Sequence, residues 1–396
     1  MKVLLEKLLT QVNAKRLMDT TLELVSIPSP PGEESAIAEY YAGRFRELGF
    51  DTKIDREYPE SPSVIAKYNN CSGPVLQLEG HMDTVSIKHD PPKIEKGRIY
   101  GRGAADMKSG LAAILEVCRI VKQNSLPCNL LITGHGQHEE SVKNNDLHAP
   151  LLGLIKRRII GDAVLVTEGP SDFVSIRSKG LSIFKFIISR EGIATHELYS
   201  EGIPNPIDAA YLLMDYYQNK RQEWSRHVDP QLGSESFFLG SISSGDYYNT
   251  VPNKCILYGT RRNLPGRTFE EVKKELTQVA KMVEDKTGTK VNLILWKSGQ
   301  PYEISPDELI VMSLREAYRD VVGKSLPLGA QKIVGNVCQF VNEGKVPTVW
   351  FGIENETAHA DVEWVEIDKI VLTAKIFLAT VFEFFRDCLG GENRDV

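Results

Sequence analysis

Histidines and carboxylates follow several short apolar segments of this chain of 396 residues. His81 and Asp83 follow the segment 75–78, Glu139 and Glu140 follow 130–132, Glu168 follows 163–166, and His359 comes after 346–351. Short unbroken apolar segments predict strands that are buried on both faces, as in a largely parallel sheet. In such sheets functional groups collect beyond the carboxyl ends of the strands. We therefore expect these side chains to share one edge of a sheet, where imidazole and carboxylate groups would suit zinc or a related divalent ion.

Each of these residues has a plainer reading when it is taken alone. His81 and Asp83 also fit a polar strand end, and Asp106 in the glycine-rich segment 101–110 fits a helix cap as well as a carboxylate shared by two ions. His359 alone fits a surface or core histidine. The neighbouring His135 and His138 are expected to be bystanders, as histidines in loops usually are.

The carboxylates at 139, 140 and 168 indicate chemistry more clearly. Adjacent side chains point in different directions, so one of Glu139 and Glu140 can bind a metal while the other takes a proton from water. A solvated acidic pair is the alternative. Glu168 ends a fully apolar strand, where an unpaired carboxylate is costly and a metal ion would compensate it.

Composition argues against two classes of partner. The chain has 42% hydrophobic and 25% charged residues and a formal net charge of −6, which is ordinary for a globular protein. The mild acidity and the lack of a basic stripe disfavour nucleic acid and anionic lipid as partners. No segment is long and apolar enough to predict a membrane span.

The cysteines and the N-terminus bear on location. Six cysteines are scattered without CxxC pairs, which predicts reduced thiols in a cytoplasmic protein. The segment 1–17 has charges among its apolar residues, so it predicts one amphipathic helix that packs on the fold rather than a signal peptide.

The order of predicted elements indicates two domains of the α/β class. Apolar periodicity predicts helices at 37–45, after Asp106 and at 367–385, with short strands at 52–55 and 64–68. From residue 180 the order is strand, helix, strand, helix, strand, with one more strand expected near 247–251. This order predicts a small ferredoxin-like α+β insert. The predicted organisation is a mostly parallel-sheet catalytic domain at 1–178 and 298–396, interrupted by the insert at 179–297.

Five motifs together resemble a known family. They are GHMDTV (80–85), GRGAADMKSG (101–110), HEE (138–140), VTEGP (166–170) and AHADVEWV (358–365). Their order and spacing are similar to those of the acetylornithine deacetylase and succinyl-diaminopimelate desuccinylase family of two-zinc amidohydrolases. Aminoacylases, glutamate carboxypeptidases and dipeptidases share this pattern. The resemblance spans almost the whole chain and implies a zinc-exopeptidase fold with an inserted dimerisation or lid domain.

The resemblance implies two divalent metal ions, with zinc expected and cobalt or manganese as alternatives. It assigns the ligands as follows: His81 and Glu168 to one ion, Glu140 and His359 to the other, and Asp106 to both. It also makes Glu139 the general base and lets Asp83 orient His81. A cis peptide bond is implied at Asp106–Met107.

The resemblance extends to the insert and to assembly. The segment GIATH (192–196) is similar to the family segment whose histidine enters the partner subunit's site, so His196 is expected to stabilise an oxyanion in a homodimer. NTVP (249–252) and RNLPG (262–266) also match. They place Asn249 near the substrate and let Arg262 grip a substrate carboxylate. Without the family, a helix-end histidine and a surface ion pair would be the readings of His196 and Arg262.

Two segments differ from the family pattern, and these differences leave the identity of the substrate undetermined. GNVC (335–338) stands where the family often has Gly-Thr-Asp-Ala, and the residues after Glu140 lack the usual glycines. The leading hypothesis is a metal-dependent deacylase of N-acyl amino acids in amino-acid metabolism. A dipeptidase or carboxypeptidase with the same site is the alternative, and a non-catalytic homologue is a third, which the intact Glu139 disfavours.

Overall fold

The structure, a computed structural model, describes residues 1–139, 147–353 and 356–390. The helices within these ranges are α1 (Lys2–Leu9), α2 (Ala14–Val25), α3 (Ser35–Glu47), α4 (Ser109–Gln123), α5 (Ala149–Lys156), α6 (Pro206–Trp224), α7 (Phe269–Thr287), α8 (Leu309–Val322), α9 (Asn336–Gln339), α10 (Ile367–Phe384) and α11 (Arg386–Gly390). None of these described helices is both long enough and apolar enough to cross a bilayer.

The strands lie between these helices along the chain. They are β1 (Asp51–Asp55), β2 (Ser63–Asn69), β3 (Leu76–His81), β4 (Lys93–Glu95), β5 (Arg98–Tyr100), β6 (Asn129–His135), β7 (Ala163–Val166), β8 (Val174–Ser178), β9 (Gly180–Ser189), β10 (Thr195–His196), β11 (Ser236–Ser244), β12 (Thr250–Val251), β13 (Lys254–Asn263), β14 (Lys290–Gly299), β15 (Tyr302–Glu303), β16 (Leu328–Gln331), β17 (Thr348–Trp350) and β18 (Trp364–Glu366). The described chain divides into two compact units. Unit 1 comprises 1–176, 304–329 and 335–396, and unit 2 comprises 177–303 and 330–334.

Unit 1 is built on a six-stranded sheet with the order β1-β2-β6-β3-β7-β17. The four strands β6, β3, β7 and β17 run parallel, whereas β1 and β2 are antiparallel. Every residue of β3, β6 and β7 is buried, because helices cover the sheet as expected for parallel strands. The carboxyl ends of the parallel strands therefore meet at one edge, and the mostly parallel α/β fold is confirmed.

The core of unit 1 lies between the sheet and its long helices. Leu111, Ile114 and Val117 of α4 are fully buried, and α10 packs against α4 and α8. The predicted helix after Asp106 thus begins at Ser109, and the predicted C-terminal helix spans nearly the expected residues. The first α4 turn directly follows the segment that carries Asp106, so the packed helix fixes where that carboxylate can lie.

Unit 2 is an antiparallel sheet with the order β11-β13-β9-β14 and two helices, α6 and α7. The chain order of these elements is β9-α6-β11-β13-α7-β14, which is the ferredoxin-like arrangement that the sequence predicted. Its core joins Phe184, Phe186 and Leu257 of the sheet to Leu213 of α6 and Leu276 of α7.

Two expected elements differ from the structure. The additional strand of the insert is β11, not 247–251, because Thr250 and Val251 pair instead with His196 and Thr195. The strand β11 was missed because it is an edge strand rich in serine, with a register shift between Leu239 and Ser241 and little apolar alternation. The N-terminal segment forms two helices rather than one, because the Asn13 side chain accepts a hydrogen bond from the Arg16 N–H and begins α2.

Candidate metal centre

Strand ends of unit 1 position the first group of site residues. His81 is the last residue of β3, and it pairs with His135 at the end of the parallel neighbour β6. Glu168 follows β7, and its backbone lies so close to Gly352 that a Cβ at Gly352 would lie 2.6 Å from the Glu168 Cα atom. The segment after β17 therefore needs glycine at this position, and the close contact helps fix the carboxylate at the sheet edge.

Asp106 lies in the turn between Gly103 and α4, and Glu363 holds this turn. The Glu363 carboxylate accepts hydrogen bonds from the backbone N–H groups of Gly103, Ala105 and Asp106 at 2.8–3.0 Å. It also pairs with the Arg102 guanidinium at 2.8 Å. The peptide bond Asp106–Met107 is cis, as the resemblance implied. The sequence contains Glu363 within a recognised motif, but nothing in its spacing predicted this contact.

The two carboxylate oxygens of Asp106 face different histidines. His81 Nε2 lies 3.1 Å from Asp106 Oδ1, and His359 Nε2 lies 3.2 Å from Asp106 Oδ2. His359 Nε2 also lies 3.1 Å from Glu139 Oε2. The structure thus brings together His81, Asp106, Glu139 and His359 from four separate segments of the chain, with Asp106 between the two imidazoles.

Asp83 links His81 to the loop that carries Glu139. Its Oδ2 atom accepts the backbone N–H groups of His138 and Glu139 at 2.9 and 2.8 Å. His81 Nδ1 lies 3.0 Å from the Asp83 backbone oxygen and 3.4 Å from Asp83 Oδ1. Because both oxygens face Nδ1, they hold a proton on that nitrogen, and Nε2 is the nitrogen that faces Asp106.

The electrostatics of the centre show an excess of negative charge. Burial and the Asp106 carboxylate raise the pKa of Glu139 to about 7. The hydrogen bonds that His359 donates to the Asp106 and Glu139 carboxylates raise its pKa to about 10. Burial alone would raise the pKa of Asp106, but His359 and His81 hold it well below its usual range. Nearby positive charge therefore stabilises the ionised Asp106 carboxylate, whereas burial and a neighbouring carboxylate disfavour the ionised form of Glu139.

Divalent ions fit this donor set. Asp83, Asp106, Glu139 and Glu168 are each less than 8% exposed, and within the described ranges the salt bridges of Asp106 and Glu139 are all with histidines. Ligand atoms of His81, Asp106 and Glu139 lie within 4.8 Å of one another, as do those of His81, His138 and Glu168. Buried carboxylates next to imidazoles, without lysine or arginine in those pairs, are chemistry that zinc and its neighbours match.

Four further residues were expected from the sequence to belong to the site. Glu140 lies outside the described residues. His196 and Asn249 belong to unit 2, where His196 Nε2 lies 3.1 Å from Asn249 Nδ2 and His196 Nδ1 accepts the Leu198 N–H. Arg262, also in unit 2, donates to the Lys332 carbonyl oxygen at 2.8 Å.

His138 has contacts that the bystander reading did not predict. Its Nδ1 atom lies 2.8 Å from Asn336 Oδ1, its Nε2 atom lies 3.9 Å from Glu168 Oε1, and its ring stacks on His81 with 4.3 Å between centroids. His135 instead pairs with the buried Glu79 at 2.6 Å. The sequence offered no signal to separate these two histidines, because only the fold brings His135 to Glu79 and His138 towards Glu168.

Comparisons with known proteins identify the family of the chain. The sequence model of peptidase family M20/M25/M40 matches residues 77–383. A succinyl-diaminopimelate desuccinylase from Sulfurovum sp. (strain NBC37-1) is 24% identical over 381 residues, which cover 93% of this chain and 99% of that protein.

Solved structures share the fold. A tripeptidase from Staphylococcus aureus superposes with a TM-score of 0.78 at 22% identity and covers 94% of this chain and 99% of its own. A dinuclear metal binding peptidase of the M20 family from Bacillus subtilis gives a TM-score of 0.69 at 15% identity, with 93% and 97% coverage.

Proposed function

The chain belongs to peptidase family M20/M25/M40 and is a hydrolytic metalloenzyme that acts on amide bonds, and from this premise we propose that it removes the acyl group from an N-acyl amino acid. The observation that carries the proposal is the position of Glu139. Its buried carboxylate contacts His359 and adjoins an Asp106 that faces two imidazoles, which is where a base for metal-activated water is needed.

Two divalent ions are part of the proposal. His81 and Glu168 would hold one, His359 and Glu140 the other, and Asp106 both, with zinc the expected metal and cobalt or manganese the alternatives. The distances from Asp106 to His81 and His359 support the shared role, and Glu140 is included from the family resemblance. When bound, the ions would supply Lewis-acid activation of water and of the amide carbonyl.

Glu139 then moves the protons of the reaction. Its carboxylate would accept the proton of the attacking water and deliver it to the nitrogen of the leaving amine, so one group serves both halves of the hydrolysis. A pKa of about 7 suits this exchange, since the group can both accept and release a proton near neutral pH. Asp83 contacts both the His81 ring and the Glu139 backbone N–H, and it would therefore fix the position of these two residues relative to each other.

The relatives and an arginine of unit 2 support a proposed substrate class. The curated relatives include succinyl-diaminopimelate desuccinylases, which supports an acylated basic or dicarboxylic amino acid. Arg262 is proposed to bind the substrate carboxylate with Asn249 nearby. Arg261 is fully buried against Glu235 and Glu275. Because successive side chains of β13 point to opposite faces of the sheet, the half-buried Arg262 lies on the other face.

A homodimer is part of the same proposal, with His196 acting in the neighbouring subunit as an oxyanion donor. His196 is exposed, and so are the apolar residues Ile193, Leu198, Tyr199 and Tyr248 near it in sequence or pairing. Exposed apolar groups of this kind often mark an interface. A cytoplasmic location stays a prediction from the six cysteines, which are all free thiols in the structure.

An activity screen tests the function. Metal-free protein is reconstituted with Zn²⁺, Co²⁺ or Mn²⁺ and offered N-acetyl and N-succinyl amino acids beside dipeptides and tripeptides. We expect release of free amino acid from an N-acyl substrate. The variant Glu139→Gln, purified and reconstituted in the same way, is the control for contaminating hydrolases. Metal-loaded protein that cleaves none of these amides would disprove the proposal.

A peptidase is the second candidate, because the structural neighbours include a tripeptidase. The screen separates the two by the α-amino group, which is free in a peptide and blocked in an N-acyl amino acid. Faster cleavage of free peptides than of their N-acetylated forms would favour the peptidase.

Subunit exchange tests the dimer. Glu139→Ala and His196→Ala should each be inactive and should regain activity when mixed, because one of the two sites in the mixed dimer then has both groups. A mixture of Glu139→Ala with His81→Ala is the control and should stay inactive, since both changes fall in the metal centre of one subunit. An active monomer would contradict the proposal.

A further inference from the structure

The ring of His138 lies between two groups that are proposed to bind one metal ion. It stacks on His81 with an angle of 14° between the rings, and its Nε2 atom faces Glu168 Oε1 at 3.9 Å. We infer that His138 is an additional metal ligand, so that the position shared by His81 and Glu168 offers two imidazoles and one carboxylate. The inference rests on the proposed metal site but assigns a residue that lies outside the five expected ligands.

Asn336 determines which nitrogen of His138 carries the proton. The Asn336 side-chain NH₂ group donates to the buried Glu79 Oε1 atom at 3.1 Å, which fixes the orientation of the amide. The amide oxygen then faces His138 Nδ1 at 2.8 Å and can only accept. His138 therefore donates through Nδ1–H, and the lone pair of the neutral imidazole is at Nε2.

The Nε2 atom that carries this lone pair lies 3.9 Å from another electron-rich atom, Glu168 Oε1. A nitrogen lone pair and a carboxylate oxygen repel each other unless a proton or a cation lies between them. Zinc bonds of about 2.0–2.2 Å to nitrogen and to oxygen span at most about 4.3 Å across one ion. The separation of 3.9 Å between His138 Nε2 and Glu168 Oε1 falls within this reach. Ligand atoms of His81, His138 and Glu168 also all lie within 4.8 Å of one another.

The surroundings hold His138 in this position before any ion binds. The backbone N–H donates to Asp83 Oδ2 at 2.9 Å, one ring face packs on His81, and Nδ1 is bonded to Asn336. Metal-binding histidines usually donate their other ring N–H to an oxygen that fixes the tautomer, and Asn336 supplies that oxygen. Asn336 is thus a positioning residue, and GNVC departs from the family pattern at the residue that contacts His138.

A site with two imidazoles differs in chemistry from one with a single imidazole. Nitrogen ligands favour zinc, cobalt, nickel and copper over manganese and magnesium. The position that includes His138 should therefore bind Zn²⁺ more tightly than the position of His359, and it should be the first to fill when metal is added to the metal-free protein.

Metal titration tests the assignment without turnover. Metal-free protein is titrated with Zn²⁺ against a chromophoric chelator for the wild type, His138→Ala, Asn336→Ala and His227→Ala. Loss of an orienting partner typically weakens metal affinity about 10–100-fold, so Asn336→Ala should weaken the tighter site by about this factor and His138→Ala by at least as much. His227 is an exposed histidine of unit 2, and its alanine variant should bind as the wild type does.

A proton NMR spectrum of the Co²⁺-loaded protein identifies the ligand directly. Each coordinated imidazole with a ring N–H gives a strongly shifted signal that disappears in D₂O. Wild type should show such signals from His81, His138 and His359, and His138→Gln should lose one of them. The number of shifted signals in the wild type tests the assignment even if a variant folds poorly. Thermal denaturation of each variant would show whether it is folded.

Unchanged affinity in His138→Ala, or only two exchangeable shifted signals in the wild type, would overturn the assignment. Neither readout involves hydrolysis. If the N-acyl screen fails while His138→Ala still weakens Zn²⁺ binding, the proposed function is wrong and the ligand assignment stands.

Discussion

Two buried ionic clusters, one in each unit, use charge in opposite ways. In unit 2, Arg261 and Arg267 pair with Glu235 and Glu275, and Arg261 is fully buried. Two positive and two negative groups leave this arginine cluster neutral. In the metal centre of unit 1, the ion pairs that Asp106 and Glu139 form within the described residues are all with histidines.

The difference in charge balance indicates that the arginine cluster has a structural role and the metal centre a chemical one. A buried ion pair whose charges balance needs nothing further and holds its elements in place, here β13, α7 and the segment before β11. A buried group of carboxylates facing imidazoles is incomplete until cations bind, and its pKa values are displaced accordingly. The arginine cluster should therefore respond to mutation in stability alone, and the metal centre in metal binding and turnover.

The largest effect is expected at Glu139. Glu139→Gln keeps the size of the side chain but cannot accept a proton, so kcat should fall ~10²–10⁴-fold while KM and metal content change little. Steady-state kinetics with metal analysis of the same sample would check this. Glu140→Gln is the comparison variant and should instead lose one metal ion. The reverse pattern would exchange the two roles.

Breaking the arginine cluster should cost stability without touching the metal. Arg261→Met leaves Glu235 and Glu275 buried with one cation fewer, which should lower the free energy of unfolding by about 3–5 kcal/mol. Urea denaturation measures the loss. Arg262→Met, at the neighbouring half-buried arginine, is the matched control and should cost far less. Equal losses from both variants, or metal lost from Arg261→Met, would contradict the contrast between the clusters.

Metal removal should destabilise the protein through unit 1 only. A ligand at one hundred times its Kd stabilises the folded state by about 2.7 kcal/mol, so the melting temperature should fall when chelator is added and rise again with Zn²⁺. The rise should be smaller in Asp106→Asn, which removes the charge between His81 and His359, and unchanged in Arg261→Met. An undiminished metal response in Asp106→Asn would mean that the ion binds elsewhere.

The smallest effect concerns the pH dependence of stability. Burial raises the pKa of Glu275, but Arg261 outweighs it and the folded pKa lies below the usual value. This carboxylate therefore stabilises the fold at pH values above about 4.3, its unfolded value, and the contribution is lost as pH falls through the folded pKa. Glu275→Gln should be less stable than wild type by about 1 kcal/mol at pH 7, and the gap should close in acid. A gap that persists at pH 2 would assign the loss to packing.

Part of the protein was predictable because its signals are local. Continuous apolar segments gave the buried strands β3, β6 and β7, and helical periodicity gave α4 and α10, since burial on a parallel sheet demands those patterns. The motifs that end these elements indicated the family, which the comparison of residues 77–383 confirmed. The edge strand β11 and the break before α2 were not predicted, because an edge strand needs little apolar alternation and a single capping asparagine decides a helix start.

The sequence by itself determined which residue types stand at the ends of which strands, because the apolar segments that form buried strands and the motifs that follow them are local features of the sequence. The tertiary structure decided their partners. Glu363 reaches the turn of Asp106 from more than 250 positions away, and Asn336 reaches His138 from nearly 200. Such contacts depend on where the packed helices and strands bring distant segments together, and no local pattern specifies them. The two adjacent arginines show the same limit, since only the burial of one face of β13 makes Arg261 structural and leaves Arg262 on the other.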